Sequence, residues 1–191
     1  MSFYFNFCVI TVGKKTYLPY PRIDSIMEHT YWVAKYPDQN ISIEKVPIYF
    51  QQTELQGNSE AGTVKFASHN AMEEIYGPNV ILEVYWETTD RAIYHQGNRV
   101  QQSFDMYNAI EVNVTDKKTE WNRSHEGTYW FGTRSQIKQK HFYNSNHIHC
   151  ITLCEQTSRV FEMHATIISN MFTNYKDLVL AAMKSLLCHD V

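Results

Sequence analysis

Apolar and polar residues alternate along the second half of the chain, in runs that short polar segments separate. Four such runs follow one another, at 110–114, 127–137, 147–154 and 159–168. Alternation with a period of two is typical of β-strands, and short polar gaps between strands are typical of hairpin connections. The pattern therefore predicts an antiparallel meander in this half of the chain.

A helical periodicity follows the meander. From Met171 to Leu187, apolar residues recur at intervals of three and four, which predicts an amphipathic helix that packs on the sheet. Apolar residues recur at similar intervals between 89 and 107. Gly97 lies in the middle of that segment and is unfavourable in a helix, and Gly97-Asn98 would suit a hairpin turn. The sequence is compatible with a helix or a hairpin between 89 and 107, and we favour the helix.

The first half of the chain contains at least two predicted strands. Residues 80–86 alternate strictly, and residues 41–50 predict a strand whose phase slips near Pro47, where a proline suits a sheet edge or a bulge. The polar segment 54–62, with the sequence ELQGNSEAG, predicts a mobile loop.

The region before residue 41 is more ambiguous. Ser25 and Glu28 have the spacing of a helix capping box, so we expect a short helix to about residue 35, although residues 30–33 would also suit a strand.

Taken together, the elements predict an α+β fold. We expect a mostly antiparallel sheet of six or more strands with flanking helices, closed by the C-terminal helix. Neither a repeat nor a low-complexity tract marks a boundary, so we expect a single domain over residues 1–191.

Charge and cysteine usage narrow the functional classes. The net charge is −3, so the basic surface typical of nucleic-acid binding is not expected. The N-terminal sequence lacks the basic start of a signal peptide, and its apolar run is too short to span a bilayer. The four cysteines form no CxxC pair, which indicates buried thiols in a reducing interior. We therefore expect a soluble cytoplasmic protein without nucleic-acid or membrane partners.

The hairpin from His147 to Ile168 can be interpreted by parity. If its turn is centred on residues 156–157, Cys150 faces Met163 and His149 faces His164. In this register the apolar residues of both strands share one face, which belongs on the core. The string HIHC-x3-C is then split between two faces. Cys150 and Cys154 join the core as small hydrophobic residues, whereas the histidines lie on the opposite face.

Three histidines and a glutamate can converge on that opposite face. His147 and His149 point the same way from one strand, and His164 faces them with its Cβ about 5 Å away. This arrangement suits a zinc ion, and Glu162 could be a fourth ligand, a partner of one imidazole or a general base. Alternatively, these are ordinary histidines of a half-exposed sheet, with Glu162 hydrogen-bonded to one of them.

Three stretches carry a family resemblance: 19–21 (PYP), 62–68 (GTVKFAS), and 159–161 (RVF) followed by the helix from Met171. Together with the order of elements, they resemble the fold of the PsbP family, which is shared with Ran-binding nuclear-import factors. The resemblance implies a non-enzymatic binding or assembly module on an antiparallel sheet flanked by helices. It transfers no functional residue to this chain.

Two functions remain open from the sequence. A non-catalytic module that binds a protein or a small ligand, with no cofactor, is favoured because GxSxG, P-loop, GxGxxG and HExxH motifs are all missing. The alternative is a zinc-dependent hydrolase in which His147, His149 and His164 hold the metal and Glu162 activates water. The sequence predicts neither the ligand nor the oligomeric state.

Overall fold

The structure is a computed structural model in which ten stretches of the chain are described. They are residues 10–12, 15–17, 31–68, 78–90, 98–99, 101–102, 105, 113–122, 125–138 and 141–189. The chain divides into two compact units, Met1–Thr30 and Tyr31–Val191. In the first unit, strands β1 (Ile10–Val12) and β2 (Lys15–Tyr17) pair antiparallel. The single domain over 1–191 stays a prediction.

The described residues of the second unit form ten strands, a C-terminal helix and part of a helical segment between residues 98 and 105. The strands are β3 (Tyr31–Tyr36), β4 (Ile41–Pro47), β5 (Phe50–Gly57), β6 (Ala61–Ser68), β7 (Val80–Thr88), β8 (Asn113–Asn122), β9 (His125–Lys138), β10 (His141–Cys154), β11 (Arg159–Ile168) and β12 (Leu186–Leu187). Short 3-10 helices lie at Pro37–Gln39 and Ser169–Met171, and the helix spans Phe172–Lys184. A seven-stranded sheet has the order β5-β6-β7-β11-β10-β9-β8, and a three-stranded sheet has the order β12-β4-β3. Every pairing is antiparallel, which confirms the predicted fold class.

The core lies between the seven-stranded sheet, the C-terminal helix and the three-stranded sheet. Alternate residues of β7 and β11 point into it, as their strict apolar alternation predicts. The helix contributes Tyr175, Val179, Ala182 and Met183, whose spacing places them on one face. Within the part of the chain that the structure describes, no helix has the length and apolar character needed to cross a membrane.

The loop prediction for residues 54–62 is wrong. Strands β5 and β6 extend through most of this segment and are joined by a tight turn, in which Asn58 Oδ1 accepts hydrogen bonds from the backbone N–H groups of Glu60 and Ala61. Strand β5 lies at the edge of its sheet, so most of its side chains face solvent. Its polarity therefore reflects an exposed edge strand and not a loop.

Other boundaries also differ from the predictions. Residues 31–36 form a strand instead of the end of a helix, and residues 25–30 lie outside the described part. The phase slip expected near Pro47 is confirmed: between the pairs Trp32–Val46 and Ala34–Ile43, β4 has one residue more than β3, so the bulge lies on β4. The strand ends at Pro47, however, and does not continue to residue 50. The C-terminal helix ends at Lys184, not at Leu187, because the next residues pair with β4 as β12. Tertiary pairing decides each of these limits.

The meander strands are longer than predicted. The polar segments 116–118 and 144–146 were expected to be connections, but they lie within β8 and β10. Both pair along their length with β9, so hydrogen bonding to a neighbouring strand extends them through polar residues.

The segment 89–107 is helical at its described residues from 98 to 105, whereas residues 89–90 have no regular secondary structure. Residues 98–99, 101–102 and 105 are helical, and Gln101 Nε2 donates to Asp105 Oδ1 at 3.0 Å. A contact between side chains four residues apart is typical of a helix surface. The helix prediction is confirmed at these positions, and residues 91–97, 100, 103–104 and 106–107 lie outside the described part of the chain.

Candidate functional site

The β10–β11 hairpin has the register that the parity argument predicts. Cys150 faces Met163 and His149 faces His164, and Cys154 faces Arg159 at the turn end. Cys150 and Cys154 are buried in the core cluster. The split of the HIHC-x3-C string between two faces is therefore confirmed.

The outer face of the seven-stranded sheet carries a row of polar side chains that we call the polar ladder: Glu54, Lys65, Glu83, His164 and His147. Lys65 Nζ lies 3.2 Å from Glu54 Oε2 and 3.0 Å from Glu83 Oε1. Glu83 Oε2 lies 3.5 Å from His164 Nδ1, and His164 Nε2 lies 2.9 Å from His147 Nδ1. The ladder thus connects five neighbouring strands through side-chain contacts.

Strand register creates most of these contacts. Glu83 directly faces Lys65 on one side and His164 on the other. Residues that face each other across a sheet have adjacent side chains, so charges of opposite sign meet without further folding constraints. The hydrogen bond from His164, together with the neighbouring Lys65 cation, lowers the pKa of Glu83 to about 2. Glu83 is therefore an anion throughout the physiological pH range.

The outer face is more buried than the sequence suggested. His147 is 6% exposed and His149 is 2% exposed, instead of half-exposed. Burial is the main reason why the pKa of His147 falls to about 4 and why the pKa of His149 lies well below its usual value. Both imidazoles are therefore neutral near pH 7, the form that accepts hydrogen bonds and binds metals.

The three predicted metal ligands lie together, but each makes a defined contact. The rings of His147 and His164 are stacked, with their planes 4° apart and the hydrogen bond described above. His149 Nε2 lies 3.8 Å from Glu162 Oε2. The other oxygen of Glu162 accepts a hydrogen bond from Arg99 Nε, so its carboxylate is held by a cation. A metal site at these histidines stays a prediction.

A pocket of about 530 Å³ opens beside the polar ladder. Its lining residues are Ala61, Gly62, Glu83, Tyr85, Trp86, Glu87, Arg99, Val160, Glu162 and His164. Arg99 bridges two carboxylates across the pocket, Glu162 on β11 and Glu87 on β7. Tyr85 remains 42% exposed beside them. We call this the carboxylate pocket.

A second cluster was not predicted. Among the described parts of the chain, His125, Cys154, Cys188 and His189 place one ligand atom each so that all four lie within 4.8 Å of one another. Cys188 Sγ lies 3.0 Å from His125 Nε2 and 3.6 Å from His189 Nδ1. Cys154 Sγ lies 3.4 Å from His189 Nδ1. We call these four residues the Cys2His2 cluster.

Sequence reasoning treated Cys154 only as a small core residue. It is buried as expected, but its sulfur also makes polar contacts. The Cys188 thiol hydrogen-bonds to it, and Thr157 and His189 contact it. These contacts, with that from Cys188 as the largest, lower the pKa of Cys154 to about 4. The adjacent pair Cys188-His189 was the one sequence feature that could have indicated a metal site. No known ligand spacing connects this pair to residues 125 and 154.

Arg159 fixes the surroundings of this cluster. Its guanidinium donates hydrogen bonds to four backbone carbonyls, those of Gln39, Asn40, Ser59 and Cys188. These carbonyls belong to the β3–β4 connection, the β5–β6 turn and the residue after β12. Since Arg159 is only 2% exposed, one buried cation holds three connections at the same end of the sheet.

No family model matches this sequence, and no curated protein matches it. Among solved structures, the chain is similar to the cyanobacterial PsbP protein CyanoP from Synechocystis sp. PCC 6803. The TM-score is 0.55 at 8% identity, over 81% of this chain and 90% of that chain. A weaker match is to LpqN, involved in cell envelope biogenesis of Mycobacterium tuberculosis, at 10% identity over 76% of this chain and 81% of that chain. Its TM-score is 0.42. The CyanoP match shows that this chain has a PsbP-like fold.

Proposed function

We propose that the protein is a non-catalytic binding module whose binding site is the carboxylate pocket. The observation that carries this proposal is a concave site of about 530 Å³ on the outer sheet face, lined by glutamates of β7 and β11 and by Arg99 of the helical segment. Concave sites with a few convergent polar groups are the usual binding sites of proteins. The site is positioned by rigid strands, so it needs little ordering when a ligand binds.

The charges of the carboxylate pocket indicate a cationic ligand. Glu83, Glu87 and Glu162 supply three carboxylates to the pocket. Arg99 pairs with Glu87 and Glu162, and Lys65 pairs with Glu83, so these carboxylates outnumber their cations by one. Glu87 retains 52% side-chain exposure, so its carboxylate is accessible to a second donor. The exposed ring of Tyr85 adds a surface on which an ammonium or guanidinium group can pack. The favoured ligand is a protein segment that carries lysine or arginine.

A binding role agrees better with the geometry than the zinc hydrolase. Glu162, the residue expected to activate water, is already paired with Arg99. The PsbP resemblance implies a non-enzymatic module, although a fold by itself does not determine function. The hydrolase and the relation to Ran-binding factors stay predictions.

A cytoplasmic location is part of the same proposal. Cys150, Cys154 and Cys188 are buried and form no disulfide in the described part of the chain. Buried cysteines in the thiol form are typical of reducing compartments.

The proposal can be tested by NMR titration with a lysine-rich peptide and with the same peptide after acetylation of every lysine. We expect amide shifts at β7 and β11 around the carboxylate pocket with the first peptide only. Glu87→Gln should weaken these shifts, whereas Asp38→Asn, which removes an exposed carboxylate outside the pocket, should not. Equal shifts with the acetylated peptide, or shifts that map to another surface, would exclude this function.

A further inference from the structure

The Cys2His2 cluster brings together four metal-binding side chains, two thiols and two imidazoles, from three distant segments. His125 begins β9, Cys154 ends β10, and Cys188 and His189 follow β12. Residue 189 lies in a bend, so the adjacent side chains 188 and 189 can turn to the same side, whereas adjacent side chains of a strand point to opposite faces. Local backbone geometry and tertiary packing together produce the convergence.

The distances within the cluster fit a common metal ion. Tetrahedral zinc binds thiolate sulfur at about 2.3 Å and imidazole nitrogen at about 2.0–2.1 Å, which separates a sulfur and a nitrogen ligand by about 3.6 Å. Three sulfur–nitrogen pairs of the cluster are separated by 3.0, 3.4 and 3.6 Å. The other pairs of ligand atoms also lie within 4.8 Å of each other, so every separation is within about 1.5 Å of that in a tetrahedral zinc site.

The burial of the two thiols and the charge of the four ligands also favour a metal ion in the Cys2His2 cluster. The two thiols are almost fully buried, while both histidines are partly exposed and give a path for entry. Two thiolates and two neutral imidazoles would neutralise the charge of a divalent ion. This ligand set in a tetrahedral arrangement is typical of zinc sites.

We propose that His125, Cys154, Cys188 and His189 bind one zinc ion, and that this ion has a structural role. Four protein ligands fill a tetrahedral shell and leave no position for a reacting water. The ion would fasten the chain after β12 to the ends of β9 and β10. Arg159 supports the site because it holds the carbonyl of Cys188. This proposal is independent of the carboxylate pocket.

The first test is metal analysis of chelator-treated protein that is exposed to zinc and then freed of excess metal. We expect one zinc per chain. Cys188→Ser and His189→Ala should weaken zinc binding more than about 100-fold, because even changes next to a ligand typically weaken it 10–100-fold. Cys150→Ala and His149→Ala are the matched controls and should retain one zinc. Loss of zinc in His149→Ala, with retention in Cys188→Ser, would overturn the proposal.

A second measurement uses the wild-type chain and does not depend on the folding of variants. Zinc should slow alkylation of Cys154 and Cys188 at least tenfold, whereas alkylation of Cys150 should not change. Mass spectrometry after alkylation assigns each thiol. An unchanged rate at both cysteines, or a Cys154–Cys188 disulfide in freshly isolated protein, would overturn the zinc site.

Discussion

The polar ladder and the Cys2His2 cluster bring polar side chains together in different ways. In the ladder, the register of adjacent strands places Lys65, Glu83 and His164 opposite one another, and His147 reaches His164 diagonally across the same sheet. In the cluster, the four side chains meet only because three distant segments end at the same place. The ladder depends on the sheet alone, whereas the cluster depends on how the C-terminal chain returns to it. Changes to the two regions should therefore have separable effects.

The largest effect is expected from Arg159→Met. This change removes a buried cation and leaves four backbone carbonyls without their donor. We expect the free energy of unfolding to fall by at least about 3 kcal/mol, as measured by urea denaturation. We also expect weaker zinc binding, because the backbone at Cys188 is no longer held.

Arg99→Met provides the matched control for this prediction. Its guanidinium is one-third exposed and pairs with Glu87 and Glu162. Partly exposed ion pairs contribute little, so we expect a loss of less than about 1 kcal/mol and unchanged zinc binding. If both variants lose the same free energy of unfolding, buried Arg159 contributes no more to stability than partly exposed Arg99, which contradicts this account.

An intermediate effect is expected from pH. The folded protein lowers the pKa of His147 to about 4, whereas an unfolded histidine titrates near 6.5. The unfolded chain therefore binds more protons between these values, so stability is fully present above pH 6.5 and is lost as pH falls toward 4. For His147 alone, the loss between pH 7 and pH 5 should be about 2 kcal/mol.

Urea denaturation at pH 7, 6 and 5, with a chelator present so that metal binding does not contribute, measures this loss. His147→Asn retains a group that can hydrogen-bond to His164 but cannot titrate. Its stability should depend less steeply on pH than that of the wild type. Parallel pH dependences would show that His147 is not held neutral by burial in the polar ladder.

The smallest effect is expected from Ser185→Ala. Ser185 Oγ accepts a hydrogen bond from the backbone N–H of Lys45 and donates one to the carbonyl of Ala182. Its loss leaves a part-buried N–H without its acceptor, so we expect destabilisation of about 1 kcal/mol by urea denaturation. Because Ser185 joins the end of the helix to β4, zinc affinity should fall as well.

The pH dependence of stability is the control for Ser185→Ala, because it reports on the polar ladder. This dependence should be the same in the variant as in the wild type, since Ser185 Oγ hydrogen-bonds to Lys45 and Ala182, which lie outside the ladder. A changed pH dependence would show that the two regions are coupled.

The contrast also explains what the sequence could predict. The apolar alternation of β7, β10 and β11 fixed the core face, and parity then placed His149 opposite His164. The same reasoning failed for β5, where an exposed edge strand has the polar composition of a loop. It also missed the Cys2His2 cluster, because no periodicity connects His125 to Cys188. Their proximity follows from the short β12 strand, which only its pairing with β4 defines.

X-ray absorption at the zinc edge, on wild-type protein loaded with one zinc per chain, tests the difference between the two regions most directly. The Cys2His2 cluster predicts a shell of two sulfurs at about 2.3 Å and two nitrogens at about 2.0–2.1 Å. A shell that contains only nitrogen and oxygen would place the metal at the three histidines of the outer face and would contradict this account.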